Sequence, residues 1–466
     1  MAWEEIAFYA LLFIVLGILV AYILKSKFNA QVFVHIFSIV RTKKPIPVFE
    51  KFAKFEKFWK WFAKIALILG FGSIAVDYLY GRSLPKFKRA VLFAVSFLAL
   101  FTAIFFLLVG NLTAPIDIGS FLRFSSFALF GCAGLTIVLL AVNAITIIEN
   151  FFTGAKSMPG VAPLIPGVQI PNVPFTPPLF PGWISLFIIL IVHEASHGII
   201  ARMHKIRIKS TGLLLFGFLP IGAFVEPDEK QFNKEPDSKR LDVFAAGSMA
   251  NFVLAAAAFV IFILFFTSYI GPFISPGVVV QSVNEFSIVN GVQEKSPAFG
   301  KLNPGDVIIS VNGRKISEFV DLQSAIKQST VLNVDINGAG GILRTEMLEK
   351  NKAGFIGASF SQIGEGKLNP VELLILFQFN KNAISPLSLF LFELFGWLFL
   401  LNLFVAISNF MPLVPFDGGQ IVKLLFLPYV GFLGFGRKDS EKFISRVFVW
   451  IMGILILINV LPLFQF

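Results

Sequence analysis

Cysteine is almost absent from this sequence, since Cys132 is the one cysteine in 466 residues. A single cysteine excludes a disulfide framework and a zinc site built from cysteine ligands. Histidine is scarce as well, and the four histidines are His35, His193, His197 and His204. Any metal site must therefore combine a few imidazoles with Asp or Glu carboxylates.

Charged residues are also few, at 14% of the chain, whereas hydrophobic residues make up 56% and the mean hydropathy is +0.80. These values lie far outside the range of soluble proteins and indicate a polytopic membrane protein. The net charge is +11. Because the lysines flank apolar runs and do not form a soluble basic domain, this charge favours contact with anionic membrane lipids, and we expect no nucleic-acid partner.

Eight apolar runs are long enough to cross a bilayer, which predicts about eight transmembrane α-helices. The first run has no basic n-region and no small-residue cleavage site, so we expect an anchor and not a removed signal peptide. The predicted spans are Ile6–Leu24, Ile65–Tyr80, Ala90–Val109, Ser125–Ile148, Trp183–Met203, Leu241–Thr267, Pro386–Ile407 and Phe448–Leu463.

Residues 1–180 form a predicted N-terminal membrane region with the first four spans and two unusual segments. The basic segment, residues 25–64, ends in FEKFAKFEKFWKWFAK, whose spacing predicts an amphipathic helix on the cytoplasmic leaflet. A calmodulin-like regulatory site is the alternative for this segment. The proline-rich loop, residues 151–181, excludes regular helix and is either an ordered loop or lid, or a plain linker.

The fifth predicted span carries the sequence HEASH, with two histidines and a glutamate in an apolar helix. His193 and His197 are four residues apart and share one face, which lets both bind one Zn²⁺, while Glu194 points towards a metal-bound water. This HExxH pattern is typical of zinc metalloproteases. The alternative is a pair of hydrogen-bonded histidines packed between helices. Basic residues follow the span, which predicts a site in the cytoplasmic half of the bilayer.

The stretch after this span, residues 212–226, is apolar but interrupted by glycine and proline, which predicts a re-entrant β-hairpin. The hairpin edge either pairs with an unwound substrate as an added strand or simply packs against the protein. In the next span, small residues such as Gly247 allow close helix contact. Asn251 in that span either bonds a neighbouring helix or holds substrate or a zinc-bound water.

The motif NFMPLVPFDGG, residues 409–419, interrupts another apolar run with prolines, glycines and a carboxylate. A carboxylate at membrane depth needs a cation, so we predict that Asp417 is the third zinc ligand. The competing candidates are Glu226, Asp228 and Glu229, which lie closer to HEASH in sequence but where carboxylates can stay solvated.

Residues 275–362 change to a soluble composition with alternating strand-like runs. The string SPAFGKLNPGDVIISVNGRKI, Ser296–Ile316, resembles the core of a PDZ domain. PDZ domains bind extended peptides at a sheet edge, so we expect an inserted α/β PDZ-like domain that takes up a peptide or a substrate ectodomain on the extracytoplasmic side.

Together, HEASHG, the Asn251 span, the PDZ-like insert and NFMPLVPFDGG resemble the site-2 protease family of intramembrane zinc metalloproteases, and the hairpin resembles its archaeal and eukaryotic branch. The resemblance implies a protease core in two parts, residues 181–270 and 386–466. One departure is Phe416, where a leucine or similar residue is common. The implied roles are zinc ligands for His193, His197 and Asp417, a catalytic base for Glu194, and contact with substrate or the transition state for Asn409 and Asn251.

The predicted function is hydrolysis of peptide bonds in transmembrane segments of membrane-protein substrates, as in regulated intramembrane proteolysis. We expect one Zn²⁺ per chain and a multi-pass location in the cell membrane, in contact with lipids. Two alternatives are a zinc transporter and a non-catalytic membrane PDZ scaffold. A transporter has no need for Glu194 or for a PDZ-like domain, and a scaffold tolerates the loss of Glu194.

Overall fold

The computed structural model describes residues 3–109, 117–155, 157–170, 176–266, 277–289, 292–303, 306–337, 343–351, 354, 356–363 and 386–464. Residues 171–175 of the proline-rich loop and residues 275–276 at the start of the predicted PDZ-like region lie outside this set. The chain divides into two units, one formed by residues 1–256 together with 400–466, and the other by residues 257–399.

Twelve α-helices lie within the described residues. They are α1 (Trp3–Phe28), α2 (Ile46–Ala53), α3 (Glu56–Val76), α4 (Lys86–Val109), α5 (Ile118–Thr153), α6 (Leu179–Met203), α7 (Glu229–Phe232), α8 (Asp237–Phe265), α9 (Phe319–Gln328), α10 (Pro386–Asn409), α11 (Asp417–Phe426) and α12 (Arg437–Val460). Eight of them are long and apolar enough to cross a membrane, namely α1, α3, α4, α5, α6, α8, α10 and α12. These eight helices correspond to the eight predicted spans.

A four-stranded antiparallel sheet packs against α6 and has the order β1 (Gln31–Phe33), β2 (Phe37–Thr42), β3 (Ile208–Phe216) and β4 (Leu219–Pro227). β3 and β4 form a hairpin over the residues where one was predicted, and it turns at Gly217, whose φ of 60° suits glycine. β2 pairs with the other edge of β3. Among the described strands, β4 is therefore an open edge of the sheet. The re-entrant position of the hairpin stays a prediction.

Within the basic segment, residues 25–64, the string FEKFAKFEKFWKWFAK is not one amphipathic helix, which corrects the prediction. The segment starts with the end of α1, continues with β1 and β2, and its last part is divided between α2 and α3. Phe55 separates these helices with a non-helical φ of -82° and ψ of 53°. The Trp59 indole N–H donates to Phe52 O at 2.8 Å, which satisfies a carbonyl at the end of α2. The aromatic and basic residues thus lie partly on α2 and partly on the first turns of a membrane-length helix.

Two membrane-length helices, α3 and α5, are kinked in the same way. Each contains a Phe-Gly pair outside the helical conformation, Phe71 with Gly72 and Phe130 with Gly131, and both glycines have φ of 55°. The kinks fit against each other, since a Cβ on Gly72 would lie 2.8 Å from Gly131 N. The two phenylalanine rings are 5.3 Å apart. Glycine is needed at both kinks because of the positive φ and the close backbone approach.

The proline-rich segment, residues 151–181, is irregular between the end of α5 and the start of α6. Its described part is tied to α12 through Asn459, which is fully buried. The Gly160 N–H donates to Asn459 O at 3.1 Å, and the Val161 N–H donates to the same oxygen at 3.4 Å. These bonds favour an ordered loop over a plain linker.

The unit of residues 257–399 carries α9 and eight strands: β5 (Gly277–Val283), β6 (Phe286–Val289), β7 (Val292–Lys295), β8 (Val307–Val311), β9 (Arg314–Lys315), β10 (Val331–Asn337), β11 (Leu343–Glu349) and β12 (Ala358–Ile363). Six form one sheet in the order β11-β10-β8-β5-β12, with β9 on β8, while β6 pairs with β7. Leu322 of α9 is buried against Ile308 and Leu332 of the sheet. The predicted mixture of strands and helix is present, and its PDZ-like identity stays a prediction.

Candidate metal centre

α6 holds His193 and His197 on one face, with their Nε2 atoms 3.1 Å apart. The spacing of four residues is close to one helical turn, so the helix alone brings both rings together. The His193 side chain is buried and the His197 side chain is half-buried. The two imidazoles therefore point into the protein from a largely apolar helix.

Asp417 is the first residue of α11, and its carboxylate reaches the same point. Its Oδ2 lies 3.2 Å from His193 Nε2 and 3.3 Å from His197 Nε2. The glycine that follows allows this approach, because a Cβ on Gly418 would lie 2.2 Å from Phe410 O. The sequence DGG thus starts a helix tightly against the preceding loop and leaves the carboxylate facing the imidazoles.

His193, His197 and Asp417, hereafter the candidate metal centre, offer ligand atoms within 4.8 Å of one another. Zinc bonds of about 2.0–2.1 Å in tetrahedral geometry separate ligand atoms by about 3.3 Å, so the observed spacing fits such an ion. Asp417 Oδ2 is buried and has no hydrogen bond of suitable geometry among the described residues. A buried carboxylate oxygen without a hydrogen bond is stabilised by a bound cation, so Asp417 Oδ2 is suited to hold a metal ion.

The second ring nitrogen of each histidine has a partner on α8. His197 Nδ1 lies 2.7 Å from Val243 O, so the Nδ1–H donates to this carbonyl and Nε2 keeps its lone pair. His193 Nδ1 lies 3.0 Å from the side-chain amide of the fully buried Asn251. If the amide is oriented with Oδ1 towards His193, the His193 Nδ1–H donates to Asn251 Oδ1, which otherwise has no hydrogen bond among the described residues. His193 then has the same tautomer as His197, with the lone pair on Nε2.

Asn251 therefore makes the contact with a neighbouring helix that was one of its two predicted alternatives, while its contact with substrate or the transition state stays a prediction. It lies at Nδ1 of His193, whereas Asp417 lies at Nε2 of the same ring. This position orients the imidazole. The sequence did not reveal the matching role of the Val243 carbonyl, because a backbone group leaves no signal in residue type.

Gly247 of α8 provides the space that the two imidazoles occupy. A Cβ at this position would lie 2.4 Å from His193 Cε1 and 2.5 Å from His197 Nε2. From its residue type, Gly247 was predicted only to allow close helix contact. A glycine one turn before the buried Asn251 was the signal that could have linked it to the site.

Glu194 lies beside the candidate metal centre and next to the hairpin. Its Oε2 accepts a hydrogen bond from the Val225 N–H of β4 at 3.0 Å. Glu194 also lines a cavity of about 210 Å³ together with Val225, His197 and Asp417. A carboxylate in this position can accept a proton from a water near the metal centre and return it to a leaving group.

Two of the three competing carboxylates, Glu226 and Asp228, have other partners, and the cluster of ligand atoms does not include Glu229. Glu226 accepts a hydrogen bond from the Ser210 hydroxyl at 2.7 Å within the hairpin. The Asp228 carboxylate caps α7 by accepting hydrogen bonds from the Lys230 and Gln231 N–H groups. The Gln231 N–H in particular holds the pKa of the Asp228 carboxyl below its usual range. Neither carboxylate belongs to the cluster of ligand atoms.

Asn409 is the last residue of α10, and its amide donates to Val405 O at 3.0 Å within that helix. It directly precedes Phe410, whose ring is fully buried. The contact of Asn409 with substrate or the transition state stays a prediction.

The family model described as Peptidase family M50 matches residues 181–455, which is more than half of the 466-residue chain. The chain belongs to peptidase family M50. The match starts at α6 and ends within α12, so it includes the candidate metal centre and the hairpin. The resemblance predicted from the motifs is thereby confirmed, and the first 180 residues lie outside the matched M50 region.

Three relatives illustrate the similarity. An uncharacterized protein of Methanocaldococcus jannaschii is 29% identical over 273 residues, which cover 58% of this chain and 62% of that protein. The zinc metalloprotease RasP of Shouchella clausii is 24% identical over 280 residues, with coverages of 51% and 63%. A membrane-bound transcription factor site-2 protease homolog of Arabidopsis thaliana is 30% identical over 147 residues, with coverages of 31% and 27%.

The part of this chain that aligns covers less than two thirds of the length of each of these relatives. Family membership and the eight membrane-length helices together make it a multi-pass membrane protein.

Proposed function

We propose that the chain is a zinc metalloprotease that hydrolyses peptide bonds within transmembrane segments of membrane-protein substrates. The observation that carries this proposal is the convergence of His193, His197 and Asp417, with Glu194 facing the same cavity, among helices of membrane length. One Zn²⁺ per chain is held by the candidate metal centre. The names of the relatives from Shouchella clausii and Arabidopsis thaliana support this chemistry.

The residues around the candidate metal centre have different roles in the proposed reaction. Bound zinc supplies Lewis-acid chemistry, because it lowers the pKa of water and polarises a carbonyl. Glu194 accepts the proton of the attacking water and passes it to the leaving amine. The Val243 carbonyl and Asn251 hold the two imidazoles with Nε2 towards the centre. Asn409 contacts the substrate or the transition state.

The substrate helix has to unwind before it is cut, because a helical carbonyl is hydrogen-bonded and shielded. The open edge of β4 lies beside Glu194, since the Val225 N–H points at the Glu194 carboxylate. This arrangement supports the proposal that an unwound substrate segment joins the sheet as an added strand. The hairpin is then re-entrant, at the depth of the metal centre.

The orientation of the chain follows from its basic residues. Arg202, Lys205, Arg207 and Lys209 lie at or directly after the end of α6, which supports a cytoplasmic position for this end. The metal centre then lies in the cytoplasmic half of the bilayer, and the PDZ-like domain of residues 275–362 lies outside, where it binds a peptide or a substrate ectodomain. A zinc transporter or a non-catalytic scaffold is not favoured, because the M50 family consists of peptidases.

Cleavage of a panel of single-span helical substrates in liposomes tests the proposal. The native protein and Glu194→Gln are compared, and bound zinc is measured in both. We expect cleavage by the native protein alone, sensitivity to a chelator, and one zinc per chain in both proteins. Cleavage that persists in Glu194→Gln and in the presence of the chelator would refute the mechanism.

A further inference from the structure

A second cavity, of about 250 Å³, lies beside Glu194 and is distinct from the one that Asp417 lines. Glu194 and Val225 line both cavities, so the two spaces meet at the carboxylate and the edge strand. Among the described residues that line the second cavity, Glu194 is the one that can ionise, and most of the others are apolar. We call this space the hairpin cavity.

The hairpin provides one wall of this cavity, because side chains at alternate positions of β3 and β4 point to the same face of the sheet. Thr211 and Leu213 of β3 lie opposite Val225 and Ala223 of β4, so these four side chains share one face of the sheet. All four line the hairpin cavity. Leu214 is paired with Gly222 and lies on the opposite face. Gly212 and Phe224, which are paired between the first two of these residue pairs, also line the cavity, so both consecutive stretches of the hairpin contribute to this wall.

The rest of the lining comes from α6 and from the N-terminal region, where Thr42 ends β2 beside Thr211 of β3. Ile191 and Ala195 of α6 line the cavity together with Thr42, Pro45 and Phe49. The last three residues lie outside residues 181–455, the part that the family model matches. This chain therefore adds residues of its own N-terminal region to a cavity at the proposed catalytic glutamate.

The N-terminal residues are held firmly in this lining. The Thr211 hydroxyl donates to Thr42 O at 3.1 Å, across the pairing of β2 with β3. The Phe49 ring packs against α6, where a Cβ on Gly198 would lie 2.6 Å from Phe49 Cε2. The next residue of α2, Glu50, pairs with a basic residue of α6 at 2.7 Å. The cavity is thus bounded by packed elements.

We propose that the hairpin cavity binds one large apolar side chain of the substrate, from a residue within two positions of the cleaved bond. This proposal rests on the proposed proteolytic function. A substrate strand paired with the open edge of β4 would place alternate side chains on the face of Ala223 and Val225, where the cavity opens. An apolar cavity of about 150 Å³ can hold a benzene molecule, so 250 Å³ is ample for a leucine or phenylalanine side chain.

A library of single-span peptides tests the proposal, with Ala, Val, Leu, Phe or Trp at three positions on each side of the cut. Leu213→Ala enlarges the cavity and Ala223→Leu reduces it. Leu214→Ala is the matched control, because this neighbouring leucine is half-buried like Leu213 but lies on the opposite face of the sheet. Mass spectrometry of the products identifies the residues that each protein prefers around the cut.

We expect the native protein to prefer Leu or Phe at one position within two residues of the cut. At that position, Leu213→Ala should shift the preference towards Trp by about 10-fold, and Ala223→Leu should shift it towards Ala by a similar factor. Leu214→Ala should keep the native preference. If Leu213→Ala and Leu214→Ala give the same profile, the cavity does not select substrate. Cleavage by the native protein that Glu194→Gln does not abolish refutes the proposed function instead.

Crosslinking provides a readout that does not depend on turnover. Single-span peptides that carry photo-leucine at successive positions are irradiated with the native protein in the presence of a chelator, and the adducts are mapped. Adducts on residues 42–49 or on Leu213 and Ala223, from one peptide position, support the proposal. Adducts confined to other regions, or no adducts, overturn it and are expected if a lipid chain fills the cavity.

Discussion

The helices α6 and α11 contribute to the same candidate metal centre in different ways. α6 fixes His193 and His197 by helical periodicity, so this half of the centre is local in sequence. Asp417 is the first residue of α11, far along the chain, and it reaches the imidazoles because the loop before α11 packs against other helices. The histidine half of the centre, His193 and His197, therefore depends on one helix, whereas the aspartate half, Asp417, depends on the tertiary fold.

The aspartate half is supported by Phe410 at the start of the loop. This ring is fully buried and packs on α3, where a Cβ on Gly70 would lie 2.4 Å from it and the Phe71 ring is 5.8 Å away. The backbone of Phe410 in turn contacts Gly418 next to Asp417. α3 belongs to the N-terminal region outside the matched residues 181–455. That region is therefore part of the structural support for the proposed site.

Removal of a metal ligand from either half of the centre should weaken zinc binding more than any other change. We expect His193→Ala and Asp417→Ala each to weaken zinc binding by more than about 100-fold, because loss of an outer hydrogen-bond partner alone weakens it by about 10–100-fold. Competition titration with a chelating dye measures the affinity. Glu226→Gln is the control and should bind zinc normally. Normal binding by Asp417→Ala together with weak binding by Glu226→Gln would place the third ligand in the hairpin.

Gly247→Ala should have the next largest effect, because the added methyl group would occupy the space of both imidazoles. We expect zinc binding to weaken by about 100-fold, comparable to the strongest losses seen for disturbed outer partners. Gly453→Ala on α12 is the matched control, since a Cβ there has no neighbour within 4 Å among the atoms of the structure. Equal zinc affinities of the two variants would contradict the close packing of α8 on the histidines.

Asn251→Ala should disturb only the histidine half. Loss of the hydrogen bond to His193 Nδ1 is expected to weaken zinc binding by about 10-fold, measured in the same titration. Asn251→Asp keeps an acceptor for the His193 Nδ1–H and should retain most of the affinity. If both variants lose affinity equally, Asn251 serves mainly in helix packing and does not orient the imidazole.

Gly70→Ala should disturb only the aspartate half and have the smallest effect on zinc binding, because the loop can relax. Overpacking against Phe410 is expected to destabilise the protein by about 1–3 kcal/mol, seen as a lower Tm in detergent. Phe410→Leu in the same chain should restore part of the Tm, since it removes the clash. A loss of zinc binding as large as that of Asp417→Ala would mean that the loop cannot relax at all.

Much of this arrangement could be predicted from residue patterns. The eight apolar runs predicted the eight membrane-length helices, because hydrophobic length is a property of consecutive residues. The HExxH spacing predicted that His193 and His197 would share a helix face. The breaks in residues 212–226 predicted a hairpin, which the structure contains as β3 and β4.

Other features were missed because they depend on contacts between distant segments. In the basic segment, residues 25–64, the string FEKFAKFEKFWKWFAK was predicted to form one lipid-facing amphipathic helix, but it is divided between α3 and α2, and α2 packs on α6. The residues before this string include β2, which pairs with β3. Strand pairing with a partner far along the chain leaves no periodic signal in a short basic segment. The hairpin cavity was missed for the same reason, since its walls come from three separate parts of the chain.

The sequence by itself determined the membrane class, the positions of the long helices and the local geometry of His193, Glu194 and His197, because each depends on hydrophobicity or spacing within one segment. The sequence also selected Asp417 among the candidate carboxylates, because it interrupts an apolar run. Only the tertiary structure decided how this carboxylate reaches the histidines, which groups orient the imidazoles, and how the N-terminal region contributes. These arrangements depend on close packing at glycines such as Gly247 and Gly418. A Cβ atom at either position would overlap with the imidazoles or with the backbone of Phe410.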